Sequence, residues 1–168
     1  DLVSEVLSDM EVEIDRRNAV IRMEELPTLW ANGSQMRQLF QNLISNGIKF
    51  QKKGIQPMIS IYCDQTRASL LDDPKTECCI VIEDNGIGFD DKYAEEIFVV
   101  FKRLHSYHEF EGSGVGLSIC KKIVDAHNGR ISAIGKPEEG ARFFLELPLK
   151  QNHNISKPRT NELSLEEG

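Results

Sequence analysis

Four clusters of residues in this sequence have the types and spacing to do chemistry. Gln38, Asn42, Asn46 and Lys49 recur at helical intervals, so on a helix they would line one side. Two carboxamides and an ammonium in a row suit a cation and a phosphate chain. Asn oxygens match Mg²⁺, which takes hard oxygen ligands and keeps most of its waters, and Lys49 would meet phosphate as a point charge. Taken alone, the row reads more plainly as a solvated polar face. Two Asn in a helix interior are nonetheless poor for helicity and call for a reason. The second cluster is Asp84-Asn85-Gly86-Ile87-Gly88-Phe89, following the apolar run at residues 80–82. An acid at a strand end can accept a hydrogen bond from an exocyclic amine such as that of adenine, a bond worth roughly 1.5–3 kcal/mol to a charged group. Glycines at alternate positions let the backbone approach a flat ring where a Cβ would clash. Asn-Gly is also an ordinary turn, while the acids a calcium loop needs at alternate positions are missing.

The third cluster is Gly112-Ser113-Gly114-Val115-Gly116-Leu117, directly before a strong helical pattern. A glycine-rich loop at a helix N-terminus offers free N–H groups to phosphate. It lacks the Lys-Ser/Thr end of a P-loop and follows no strand, so the dinucleotide fingerprint fails as well. In the fourth, Phe98 and Phe101 precede Lys102-Arg103. The aromatics would pin the base of a loop to the core and Arg103 would reach phosphate. Simple packing and a surface Arg explain the same residues equally well.

The elements that must position these groups follow from periodicity. Residues 1–17 read as one amphipathic helix on Leu2, Val6, Met10 and Ile14, a helix that looks like the continuation of an upstream segment. Residues 19–23 and 29–31 read as short strands. Asn32-Gly33-Ser34 is a turn and helix cap, and the helix that follows to Phe50 carries Met36, Leu39, Phe40, Leu43, Ile44 and Ile48 as its core stripe. Residues 58–63 and 78–84 are expected to be paired strands joined by a polar loop over 64–76, and residues 90–99 to be a short helix. Residues 102–113, rich in charge, Gly and His, read as a mobile loop. A helix over 114–127, stopped by Asn128-Gly129, and strands over 131–134 and 141–147 close the domain. The expected domain is 1–149, with 150–168 a polar tail ending in Leu165-Glu166-Glu167-Gly168, a cloning remnant in part. Helices do not alternate with every strand, so the fold class is α+β: a two-layer sandwich with a mixed sheet of about five strands covered by three helices.

Composition bounds the rest. The chain has 168 residues, 40% hydrophobic and 28% charged, which suits one globular core. No apolar run is long enough for a membrane helix, so no membrane contact is expected of this chain. A net charge of −7 argues against general nucleic-acid binding. Cys63, Cys78, Cys79 and Cys120 form neither a C-x-x-C pair nor a Cys/His cluster and read as reduced, mostly buried thiols of a cytoplasmic protein, Cys78 and Cys79 facing opposite sides of a strand.

Each cluster has a bland explanation, but their order along one chain does not. Residues 42–50, Asn-Leu-Ile-Ser-Asn-Gly-Ile-Lys-Phe, resemble the N box of the ATP-binding catalytic domain of sensor histidine kinases. Residues 84–88 resemble its G1 box, 98–101 its F box, 112–117 its G2 box and 137–144 its last glycine box. The similarity covers about residues 1–149 and extends, at residues 101–105, to kinases of the phytochrome-like and hybrid kind. It implies the Bergerat ATP-binding fold with ATP and Mg²⁺ as cofactors. It implies that Asp84 reads the adenine amine, with Phe50, Gly86, Ile87, Gly88 and Phe101 around the nucleotide. Asn46 would ligand Mg²⁺ with Asn42 nearby, and Lys49 and Arg103 would contact phosphates. Residues 102–113 would form the ATP lid, and Gly112, Ser113, Gly114, Val115, Gly116 and Leu117 its phosphate-facing end. Gly47 stands where the family usually has Ala, which softens the helix but removes no contact group; Ala141-Arg142 follow Gly140 where a small hydroxyl residue is usual, so a hydrogen bond on the adenine or phosphate side is expected to be missing or supplied by water.

The resemblance also implies partners: a dimerisation and histidine-phosphotransfer domain of the same parent protein, and a downstream response-regulator receiver domain. Of His105, His108, His127 and His153, none reads as the phospho-acceptor. His108-Glu109 mimics the acceptor pair but lies in the expected lid, and His127 at a helix end is favourable for its charge. No catalytic base is therefore assigned in this chain. ATP-hydrolysing relatives of the gyrase, mismatch-repair or chaperone type carry a Glu on the N-box helix, where this chain has the amides Gln38 and Asn42. A serine kinase of the anti-sigma type and a nucleotide-sensing domain without transfer remain alternatives.

Overall fold

In a computed structural model of the chain, residues 1–99 and 115–150 are described. A five-stranded sheet has the order β1-β2-β3-β5-β4, with β1 at Val20–Met23, β2 at Met58–Cys63, β3 at Glu77–Asp84, β4 at Arg130–Lys136 and β5 at Gly140–Pro148. β1 pairs parallel with β2 and every other pair is antiparallel, so the sheet is mixed, as expected. The helices α1 (Leu2–Asp9), α3 (Gly33–Lys49) and α5 (Gly116–Ala126) accompany it, with two shorter ones described below.

Packing follows from the alternation of β3. Cys78, Ile80 and Ile82 belong to the main core with Ile59 and Ile61 of β2, Phe143, Leu145 and Leu147 of β5, and Leu39, Leu43, Ile44 and Ile48 of α3. Burying each such side chain contributes roughly 1.5–3 kcal/mol. Cys79 and Val81 point the other way, into a smaller cluster with Ala68, Leu71 and Phe144. The paired cysteines thus face opposite sides. On that second face Arg67 stacks 4.0 Å from the Phe144 ring centroid and bonds Glu146 at 3.0 Å.

Three sequence expectations need correction. The first helix is broken at Met10 into α1 and α2 (Glu11–Arg16). A stripe at every fourth residue walks by about 40° per step around a straight helix. The break turns Met10 into the core and leaves Val12 exposed. Residues 29–31 form no strand: Trp30 donates one bond to Leu149 O at 3.0 Å without a ladder. Residues 90–99 hold two 3-10 turns, Asp91–Tyr93 and Glu96–Phe98, in place of one helix. The expected polar loop over 64–76 also contains a short helix, α4, at Gln65–Ala68, capped by the Asp64 carboxylate accepting from Arg67 N.

His127 departs from its expected role as a charge at a helix end. It is buried, its Nδ1 lies 2.7 Å from Ile123 O, and its Nε2 accepts from Asn32 N–H at 3.1 Å. Accepting there requires a lone pair, so the ring is neutral with its proton on Nδ1. It ties the end of α5 to the start of α3. Among the described residues no helix is long and apolar enough to cross a membrane.

Candidate functional site

The helix α3 is the frame of the site. Asn32 caps it, its Oδ1 accepting from Gln35 N at 3.0 Å, and its buried stripe fixes which side faces the sheet. Asn42, Asn46, Lys49 and Phe50 are half-buried along the border of that stripe. From Asn42 to Phe50 the axis advances about 12 Å, and each end meets a different element.

At the Phe50 end, the chain after β3 turns back onto α3. Ile87 N–H donates to Phe50 O at 3.0 Å. A Cβ on Gly86 would collide with that same oxygen. Gly88 has φ +62° and packs under the backbone of Lys136 and Gly140, a conformation L side chains resist. Asp84, the last residue of β3, is half-buried, and its Oδ1 accepts from Gly86 N–H at 2.8 Å. Burial pushes its carboxyl up to about 6, against the pull of backbone donors at Gly86 and Ala141. The carboxylate is therefore held with one oxygen pinned, in a place where its charge is costly.

Two neighbours of Asp84 give the sequence departures a location. A Cβ on Gly47 would lie 2.9 Å from Ile59 Cδ1 and 3.4 Å from Asp84 Cβ, so the glycine lets α3 sit closely against Asp84's strand, beyond merely softening the helix. Ala141 pairs directly across from Asp84, where cross-strand side chains are near neighbours, and brings a methyl where a hydroxyl would donate. Arg142 points to the opposite face and pairs with Glu83 at 3.0 Å. The hydrogen bond whose loss the resemblance implies would thus be one on the Asp84 side.

At the other end, Asn42 faces the start of α5. A Cβ on Gly116 would come within 4.0 Å of Asn42 Oδ1. The N-cap of α5 is Val115, and no side chain among the described residues caps it; first-turn N–H groups such as those around Gly116 and Leu117 are of the kind that meet an anion. Among the described residues the buried Asn42 Nδ2 has no hydrogen-bond partner, an unmet group of the kind a functional site holds. Lys49 Nζ lies 5.6 Å from the Phe50 ring centroid. Of the expected site residues, Asn42, Asn46, Lys49, Phe50, Asp84, Gly86, Ile87, Gly88, Val115, Gly116 and Leu117 come together along α3. Phe101, Arg103, Gly112, Ser113 and Gly114 lie outside the described residues, as do the expected lid and His105, His108 and His153. Sequence reasoning missed Lys52, which donates to Glu138 O at 2.7 Å and ties the end of α3 to the β4–β5 turn. It carries no motif signal.

The donor set fits a metal-bound nucleotide: hard amide oxygens, a helix N-terminus and a cation line one side, and a buried carboxylate beside glycines that leave room for a flat ring lines the other.

Comparisons with known proteins agree with this geometry. Residues 31–151 match the family model described as histidine kinase-, DNA gyrase B-, and HSP90-like ATPase. The chain is 37% identical over 149 residues to the phytochrome-like protein Cph1 of Synechocystis, covering 89% of this chain and 19% of that protein. It is 30% identical over 152 residues to the adaptive-response sensory kinase SasA of the same strain, covering 89% and 37%. It therefore spans about a fifth of the phytochrome-like relative and well under half of the other. Among solved structures, the catalytic domain of the histidine kinase ThkA is similar at TM-score 0.69 and 26% identity, covering 89% of this chain and 92% of that one. ThkA has also been solved in complex with the response regulator protein TrrA; that structure is similar at TM-score 0.65 and 25% identity, covering 88% of this chain and 39% of that one. With the family model spanning most of the chain and named kinases on every side, this chain belongs to the histidine kinase-, DNA gyrase B- and HSP90-like ATPase family, as a catalytic domain of its histidine kinase branch.

Proposed function

We propose that this chain binds Mg²⁺-ATP along α3 and donates the γ-phosphate to a histidine on a separate dimerisation domain of its parent protein, for onward transfer to a response-regulator receiver domain. The observation that carries the reading is one helix joining two complementary ends. Asp84, buried beside Gly86 and Gly88, stands at one end. The start of α5, facing Asn42, stands at the other. Asp84 would accept the adenine amine with the oxygen that Gly86 leaves open. Lys49, Arg103 and the N–H groups at the start of α5 would hold phosphate oxygens. Asn46, with Asn42 beside it, would hold Mg²⁺, whose charge when bound neutralises the phosphate chain.

The chain's own residues favour transfer to protein over hydrolysis. α3 has no Asp or Glu anywhere along its length, and the amides of Gln38 and Asn42 cannot take a proton from water at neutral pH. The general base would come from the domain that brings the acceptor histidine.

The test is calorimetry of the purified chain with ADP and with ATP, with and without Mg²⁺, alongside Asp84→Asn, followed by an assay for phosphohistidine on the parent's dimerisation domain mixed with the chain. Nucleotide binding that depends on Asp84, followed by acid-labile phosphate on that domain, is expected. Absence of any nucleotide binding would overturn the reading, and binding without transfer would recast the chain as a nucleotide-sensing module.

A further inference from the structure

β3 ends at Asp84, and the chain must leave the sheet at once if Gly86 is to reach back to that carboxylate. The β2–β3 register pairs Ile59 with Asp84, so Met58 stands opposite Asn85 at the next step. A hydrogen-bonded antiparallel pair exchanges two main-chain bonds. One of them forms: Asn85 N–H donates to Met58 O at 3.3 Å. The other is diverted. Met58 N–H donates to the side-chain Oδ1 of Asn85 at 2.8 Å, where the ladder would use the main-chain carbonyl. The other half of the amide is engaged as well, Asn85 Nδ2 donating to Gln56 O at 3.0 Å. A carboxamide offers an acceptor and a donor together, as a peptide unit does, and here it takes the place of one more strand residue.

What the amide grips is itself fixed. Gln56 Nε2 donates to Asn18 O at 3.0 Å, and Pro57 O accepts from Val20 N–H at 2.8 Å, so residues 56–58 are held from the β1 side. Beyond Asn85, Gly86 N–H donates to Asp84 Oδ1 at 2.8 Å and Ile87 N–H to Phe50 O at 3.0 Å. The peptide joining Asn85 to Gly86 is trans, so its carbonyl and its N–H point opposite ways from one plane. A ladder bond from that carbonyl would hold the Gly86 N–H in the line of the sheet. Releasing the carbonyl lets the same N–H turn back onto Asp84. We propose that Asn85 is a positioning residue for Asp84: its carboxamide substitutes for its own main-chain carbonyl in the β2–β3 ladder, and so aims Gly86 N–H at the Asp84 carboxylate and fixes which oxygen is pinned.

The consequence for binding rests on the adenine reading above; the geometry does not. A carboxylate held in one orientation accepts an amine and repels a carbonyl put in its place, and a site built to bond a group rejects the analogue that lacks it. Without the Asn85 amide, Met58 N–H would draw the main-chain carbonyl into the ladder. The Gly86 N–H would then turn away, and the carboxylate would be free to rotate. Discrimination at the base would fall, while the phosphate end of α3 would keep its own contacts.

The experiment compares wild type with Asn85→Ala and Asn85→Ser. The serine hydroxyl is a single atom that cannot span Met58 N–H and Gln56 O, and the serine chain carries the test if the alanine chain does not fold. Calorimetry in Mg²⁺ gives affinities for ADP and for inosine diphosphate, which has a carbonyl where adenine has its amine. The ratio of the two is expected to fall about tenfold in the variants, as when the group that orients a ligand-binding side chain is removed. A loss of stability alone would leave that ratio unmoved. In the nucleotide-free chain, NMR follows the Gly86 amide proton through a pH titration. Its resonance is expected to move in wild type as the Asp84 carboxyl titrates at about 6. Asp84→Asn, which should abolish the movement, separates it from the neighbouring Glu83, paired with Arg142. The movement is expected to be lost in Asn85→Ala and Asn85→Ser. A Gly86 resonance that still titrates in them, or an unchanged affinity ratio, would overturn the proposal. If wild type bound neither nucleotide, or did not prefer ADP, the adenine reading would fall, and the Gly86 titration alone would decide the role of Asn85.

Discussion

The two ends of α3 are built in opposite ways. At the Phe50 end the described backbone is closed on itself: Ile87 N–H on Phe50 O, Gly86 N–H on Asp84, and Lys52 on Glu138 O. At the Asn42 end the described groups are left open: no described side chain caps the start of α5. A flat, weakly polar ring is recognised by shape and one or two hydrogen bonds, which a rigid wall supplies in advance. A charged phosphate chain brings its own hydrogen-bond acceptors, so that end can keep its donors unmet until the ligand arrives. The contrast is between a site made by packing and one made by polar groups held in reserve.

Substitutions should separate the two ends. The largest effect is expected from Gly88→Ala, which forces a Cβ into a left-handed position against the Lys136 and Gly140 backbone. About 3 kcal/mol of stability should be lost in urea unfolding, and an unchanged midpoint would show that the closed end is less rigid than its contacts imply. Next comes Asp84→Asn, which should weaken adenine nucleotides roughly 10- to 100-fold by calorimetry. The same change should stabilise the free chain at pH 7 by up to about 3 kcal/mol, because it removes a buried charge whose carboxyl is raised from 3.8 to about 6. A lower melting temperature would contradict that assignment.

The pH dependence follows from the same carboxyl. Its folded value lies above its unfolded one, so its stabilising contribution is full below about 3.8 and is lost as pH rises through about 6. Nucleotide affinity should run the other way, falling as pH drops through about 6 and the acceptor becomes neutral. Titrations from pH 5 to 8 should show this in wild type and a flat profile in Asp84→Asn. At the open end, Asn46→Ala is expected to weaken Mg²⁺-ATP roughly tenfold, about 1.4 kcal/mol, with ADP in EDTA nearly unaffected. Equal losses for both ligands would place Asn46 on the closed side. The smallest effect is expected from Gly47→Ala. A gain of up to about 1 kcal/mol in helix propensity opposes a contact with the movable end of Ile59, so thermal melts should shift by only a few degrees.

The sequence by itself determined a good deal. The alternation of Ile59, Ile61, Ile80 and Ile82 and the apolar stripe of α3 set which side chains share a face, because the periods are two and 3.6 residues, and the order of helices and strands pointed to a mixed sheet backed by helices. The order of the Asn42–Phe50, Asp84–Gly88 and Gly112–Leu117 clusters pointed to the family. Three matters were decided only by tertiary structure. The break at Met10 came from the need to keep a drifting stripe on the core. The neutral ring of His127 came from an Asn32 N–H distant in sequence, where helix-end reasoning suggested a charge. The places of Gly47 and Ala141 beside Asp84 came from strands and helices far apart in the chain. Local periodicity sets the face a residue presents, whereas the groups that tune a site meet across elements, and only packing determines which of them touch.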